Sequence, residues 1–189
     1  MRQSTLKYST RYYYDYHFYC FREYFEELKE TSDIARLDAF RQHGATSRYV
    51  HSVAVAYYSY LLAVTLGKRA HLRDLVRGAL THDYYLYDCK EKSTRQKGHV
   101  TKHPQISLEN AQKDFELTEI ERDIITKHMF PLTLKRPRYR ESVIVSLVDK
   151  GCAIYEFLKR KNPYPTVRYG ILEKSSIDME RLAELWATD

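Results

Sequence analysis

Six residues of metal-ligating type follow one another in a fixed order: His51, the adjacent pair His82-Asp83, His103, His128 and Asp149. Five separate stretches contribute, and each lies in or beside a segment with helical periodicity. Imidazole nitrogen combined with carboxylate oxygen is the donor mix that suits iron, manganese, zinc or nickel. Four of the eight histidines belong to the set. Metal-dependent catalysis is the chemistry these residue types point to.

Asp149 is the strongest single signal. Val145, Val148 and Cys152 share its side of a helix, and an ionised carboxylate on an apolar face is costly unless paired or coordinated. A buried Asp–Arg bridge would satisfy it as well. His128 follows Ile124 and Ile125 on an inward row, and His51 lies beside Val50, Val53 and Ala54. Alone, each histidine would read as a satisfied core residue; their common order changes that reading. Cations stand next to the set: Arg48 one turn before His51, Lys150 after Asp149, Lys102 before His103 and Lys127 before His128. Arg48 and Lys150 are the first candidates for gripping an anionic group. His43 is placed to donate a proton from a loop or to cap a helix. His17, His71 and His99 read as surface residues, with His99 near enough to His103 to be an alternative ligand.

Helices must position these groups. The tyrosine-rich stretch from Tyr8 to Tyr24 continues into Phe25 and Leu28 and predicts a helix of 15–20 residues ending near Lys29, packed across the main bundle. Thr31-Ser32-Asp33 reads as an N-cap cluster for a short helix through Phe40, and His43-Gly44 as its stop. Thr46-Ser47 opens a helix to about Leu66, and another runs from Leu72 to His82. Pro104 fits the first turn of a helix ending near Lys113. Thr118 and Glu121 form a capping box, and a long helix spans 139–160. No segment alternates as a strand, so the expected fold is all-α: a Tyr-rich helical segment (1–42) on a single helical bundle (43–160), with a C-terminal extension (161–189).

Composition narrows the function classes. Lys and Arg number 31 against 25 acidic residues, a net charge of +6 that favours an anionic substrate. The basic residues are scattered, whereas nucleic-acid binding needs a concentrated patch, so nucleic acid is not the expected partner. Cys20, Cys89 and Cys152 form no CxxC pair and read as reduced thiols. No apolar run approaches the ~20 residues of a membrane span, and the N-terminus lacks a signal core. The expectation is a cytoplasmic protein, with oligomerisation open.

The chain resembles the HD-domain superfamily of metal-dependent phosphohydrolases. The residues that carry the resemblance are His51, His82-Asp83 in ALTHDYYLYD, and Asp149 in SLVDKG; it covers roughly 43–158. His103 in TKHPQ and His128 in ITKHMFP match the subset with extra histidines, which implies two metal ions. The resemblance implies that His51, His82, Asp83 and Asp149 hold one ion, and that His103 and His128 hold the second with Asp83 bridging. Iron or manganese is favoured, with zinc, nickel or magnesium as further possibilities. It also implies a catalytic role for Asp83 and hydrolysis of a phosphate ester or anhydride, of nucleotide-like substrate, by a metal-activated hydroxide. The pattern is similar to the symmetrical dinucleoside-tetraphosphate hydrolases of the superfamily. One departure is Leu86, where many members carry a phosphate-contacting lysine three positions after the motif Asp. The flanking Tyr84, Tyr85 and Tyr87 would then line the pocket or stack on a base. The GYP tripeptide of cyclic-dinucleotide phosphodiesterases is absent. Two alternatives stay open: a mixed-valent di-iron oxygenase using the same six ligands, and a non-catalytic metal-binding regulatory module.

Overall fold

Ser47 starts the helix around which the fold is built. Its side chain accepts the Val50 amide, the N-cap contact expected of a serine before a helix. The computed structural model describes residues 2–42, 46–67, 69–87, 99–159 and 163–172, with the side chains of 2–15 and of 99–100 outside that description. The elements are α1 (Arg2–Glu30), a 3-10 helix (Ile34–Ala39), α2 (Arg48–Thr65), α3 (Leu72–Thr81), α4 (His99–Asp114), α5 (Glu119–Lys127), α6 (Arg140–Leu158) and a π-helical stretch (Thr166–Leu172). Among the described residues no strand forms beyond one isolated bridge between Arg41 and Ser47. The fold is all-α, as the sequence led us to expect.

Helix α2 is buried nearly all round from Arg48 to Tyr57, which suits a central helix rather than a surface one. It packs against α3 and α6 and also touches α1, the 3-10 helix and the π-helical stretch. Helix α5 packs on both α3 and α6, and α4 on α5. Gly78 lets α3 and α5 approach closely: a Cβ there would lie 2.6 Å from Ile124 Cδ1 and 3.3 Å from Glu121 Cα. Gly67 ends α2 at φ 60, a left-handed conformation in which glycine pays no Cβ penalty. No helix of the described residues is long and apolar enough to cross a membrane.

Three elements differ in detail from expectation. Helix α1 is longer, with 29 residues. Phe18, Phe21, Phe25 and Leu28 bury one face of it, and Phe21 meets Tyr57 edge-on at 5.2 Å. Thr31 and Ser32 cap the end of α1 instead of opening the next helix. Their hydroxyls donate back to the carbonyls of Glu27 and Leu28, because the last carbonyls of a helix lack intrahelical donors. Helix α4 begins at His99, so Pro104 is its sixth residue rather than part of its first turn. Proline there lacks the amide that would reach the Val100 carbonyl and its ring crowds that carbonyl, yet the helix holds upstream to His99.

Candidate metal centre

Five helices each deliver part of one cluster. His51 lies in the first turn of α2, His82 caps the C-terminus of α3 with Asp83 next, and His103 lies in α4. His128 caps the C-terminus of α5, and Asp149 lies midway along α6. The two C-cap positions matter, because carbonyls in the last turn of a helix are free to accept. His82 donates its Nδ1–H to Ala79 O at 2.7 Å, and His128 donates to Ile125 O at 2.9 Å. That tautomer leaves each Nε2 lone pair facing inward.

The inward atoms converge. His51 Nε2 is 3.1 Å from Asp149 Oδ1, and His82 Nε2 is 3.6 Å from the same oxygen. Asp83 looks both ways: Oδ2 is 3.6 Å from His82 Nε2, while Oδ1 is 3.2 Å from His103 Nε2 and 3.5 Å from His128 Nε2. His103 and His128 meet through their Nε2 atoms at 2.8 Å. The structure therefore brings together all six residues singled out in the sequence. His51, His82 and His128 are buried completely or nearly so, and Asp149, at 8%, is the most exposed of the six.

Burial and charge set the protonation states. Burial opposes the charge on Asp83, but the imidazoles of His82 and His103 outweigh it and hold the carboxyl well below its usual range. Asp149 is likewise lowered, its burial overcome chiefly by the hydrogen bond from His51. Burial lowers His128 to about 3, so its ring is neutral. His51 is raised well above its usual value, because Glu156 and Asp149 together outweigh its burial. Anionic carboxylates and a neutral imidazole are the ligating forms of these side chains.

The arrangement fits a cation by a direct test. His82 Nε2 and Asp83 Oδ1 are buried without a hydrogen-bond partner, a costly state for polar atoms. Both point into the cluster. Two groups of donor atoms lie within 4.8 Å of one another: His51, His82 and Asp149, and His82, Asp83 and His128. An oxygen- and nitrogen-seeking cation in either group would satisfy the orphaned atoms.

Three of the four neighbouring cations are engaged elsewhere. Arg48 is fully buried and stacks on the Tyr85 ring at 3.5 Å. It donates Nη1 to Tyr85 O at 2.5 Å, Nη2 to Tyr87 O at 3.3 Å and Nε to Gln42 Oε1 at 3.1 Å. Lys150 donates Nζ to His128 O at 2.6 Å and to Ser146 O at 3.0 Å, and burial lowers its pKa. Lys127 pairs with Asp123, and Lys102 is exposed. Tyr84 is buried with its hydroxyl donated to Asp114, and Tyr85 is buried beside His103, with ring centroids 5.6 Å apart. His43 lies outside the described residues, as does the side chain of His99.

Two further residues complete the cluster. Gln42 donates Nε2 to Asp83 Oδ2, and the Glu156 carboxylate lies 2.8 Å from His51 Nδ1. Glu156 was legible in principle, since it follows Asp149 by two helical turns on the same face. Nothing in the sequence marks Gln42. Comparison with curated proteins finds no match, and comparison with solved structures finds none. Residues 48–153, more than half of the chain, match the HD domain family, and the chain belongs to that family.

Proposed function

We propose that this protein is a metal-dependent phosphohydrolase that cleaves a phosphate ester or anhydride of a nucleotide-like substrate at a dinuclear site. The observation that carries the reading is the pair of orphaned atoms, His82 Nε2 and Asp83 Oδ1, buried between two ligand groups. The HD domain family consists mostly of metal-dependent hydrolases, and the net charge of +6 suits a phosphorylated substrate. His51, His82 and Asp149 would hold one ion and His103 and His128 the other, with Asp83 bridging through its two oxygens.

When bound, the cations lower the pKa of water and neutralise charge on phosphoryl oxygens. The protein's own residues supply position. Gln42 holds one Asp83 oxygen toward His82 and leaves the other to His103 and His128. Lys150 ties α6 to the carbonyl of His128 and so fixes the ring between two helices. Arg48 anchors the chain just after Asp83 by holding the Tyr85 and Tyr87 carbonyls. Arg48 and Lys150 thus act through other residues, and not as the phosphate contacts expected from their adjacency. The residual exposure of Asp149, His103 and Asp83 marks the side from which a substrate would enter.

The test is a phosphate-release screen. Protein reconstituted with manganese or iron is offered nucleotide esters and anhydrides, with Asp83→Ala in parallel and oxygen uptake recorded. Phosphate release by the wild type alone supports the reading. Equal turnover by metal-free Asp83→Ala protein contradicts it, and oxygen consumption without phosphate release replaces it with the di-iron oxygenase.

A further inference from the structure

We infer that the outer face of α6 is a dimer seam, on which a second copy of this chain packs its own α6 antiparallel, with the two-fold axis at Gly151. Between Arg140 and Lys159 the exposed residues of α6 are Val143, Leu147, Gly151, Ile154, Phe157 and Leu158. None of them carries a polar side chain. Their exposure runs from 44% at Val143 to 73% at Leu158, whereas a surface helix ordinarily turns charged and polar residues to water. Lys150 flanks the row, but its ammonium is turned back onto the carbonyls of His128 and Ser146. Asp149, Cys152 and Glu156 are buried on the other side of the helix. The metal centre therefore faces away from the seam.

The row has the symmetry that a copy of itself requires. An isologous interface sets one patch against the same patch. Counted from Gly151, Leu147 and Ile154 stand four and three residues away on opposite sides, and Val143 and Leu158 stand eight and seven. A two-fold axis at Gly151 thus sets Leu147 against Ile154 of the second copy, and Val143 against Leu158 of the second copy. The antiparallel arrangement also opposes the two helix dipoles. Gly151 suits the crossing point. Glycine inside a helix costs stability relative to alanine, and a Cβ there would meet nothing within 4 Å. Nothing in the described part of the chain needs that space, whereas a second helix crossing there does. The five side chains of the row expose on the order of 500 Å² of apolar surface. Two copies would bury on the order of 1,000 Å² in the seam alone, the area at which specific interfaces begin. Arg140 and Lys159 fall at the rims, where water and salt screen them.

The test is sedimentation of the full chain across a dilution series. Wild type should run at twice the chain mass of 22.6 kDa and dissociate on dilution. Leu147→Glu should raise the dissociation constant by about 100-fold or more, because each substitution enters the seam twice. Ile154→Lys should do the same, and it carries the comparison if Leu147→Glu loses its helical circular dichroism. Cysteine pairing then reads the orientation. Gly151→Cys lies on the axis and should form a disulfide dimer on mild oxidation. Leu158→Cys should not, since antiparallel helices hold the two copies of that position far apart. Wild type, with its own Cys20, Cys89 and Cys152, is oxidised in parallel. A wild type that stays monomeric at every concentration overturns the seam, and so does a glutamate or lysine variant that dimerises as tightly as wild type. In that case a segment of the same chain or a different partner covers the face. Leu158→Cys crosslinking as readily as Gly151→Cys overturns the antiparallel arrangement.

Discussion

Gln42 donates its amide to Asp83 Oδ2 at 2.5 Å across 41 residues of sequence. Its own oxygen accepts from Arg48 Nε at 3.1 Å and from the Tyr85 hydroxyl at 3.2 Å. A buried amide satisfied at both ends has one orientation, so Asp83 has one orientation too. Gln42→Ala removes this constraint and leaves the Arg48 Nε–H without its acceptor. We expect a stability loss of about 1–3 kcal/mol and metal affinity weaker by about 10-fold or more. Thermal unfolding and a manganese titration read the two effects separately. Unchanged metal affinity would show that Asp83 is held by its histidines alone.

Arg48 should behave as a structural anchor. Lysine has one ammonium where arginine has a planar fork, and it cannot serve the Tyr85 and Tyr87 carbonyls and Gln42 together. Arg48→Lys should lower stability by about 1–3 kcal/mol, equally with and without metal. Denaturant unfolding measures it. A variant as stable as wild type, with only its KM raised, would restore Arg48 as a substrate contact.

Gly78 sets the distance between α3, which carries His82, and α5, which carries His128. Gly78→Val would push a branched side chain against Ile124 and the Glu121 backbone. Overpacking of this kind costs about 1–3 kcal/mol, and the helices must separate to relieve it. A lower unfolding midpoint is the expected result. A midpoint equal to that of wild type would show that the contact yields freely.

Asp123 ties the chain before α6 to α5. It accepts from the Arg138 amide at 2.9 Å, the Tyr139 amide at 3.3 Å and the Ser142 hydroxyl at 2.7 Å, and it pairs with Lys127. Burial opposes its charge, but these contacts win and its pKa falls below 3.8. A carboxyl depressed in the folded state contributes stability above its unfolded pKa, and that contribution is lost as pH falls through the folded value. Asp123→Asn should therefore destabilise the protein at neutral pH, by an amount that shrinks as pH falls below about 4. Unfolding midpoints across pH 2–7 test this. A destabilisation that does not change with pH would remove the ionised carboxylate from the account.

The ligand set was legible because helical period and chain order are visible in a sequence. His51, Asp149 and the Thr118–Glu121 capping box all follow from spacing, and each lies where spacing puts it. The partners of Arg48 and Lys150 were not legible. Adjacency to a ligand gives a direction along one helix, whereas these side chains are held by carbonyls from other elements. The same limit hid Gln42, whose contact depends on how the chain before α2 returns to the end of α3. Pro104 misled for a local reason: proline tolerates the first turn, but its presence does not locate the helix start.

Metal content per chain tests the central claim most directly. Protein purified without chelator, or reconstituted and desalted, is assayed by elemental analysis beside His128→Ala and Asp83→Ala. The dinuclear reading predicts about two equivalents of iron, manganese or a similar ion in wild type. It predicts about one in His128→Ala and none in Asp83→Ala, which removes the bridge. A wild type that takes up no metal, or an Asp83→Ala protein that loads as well as wild type, would contradict it.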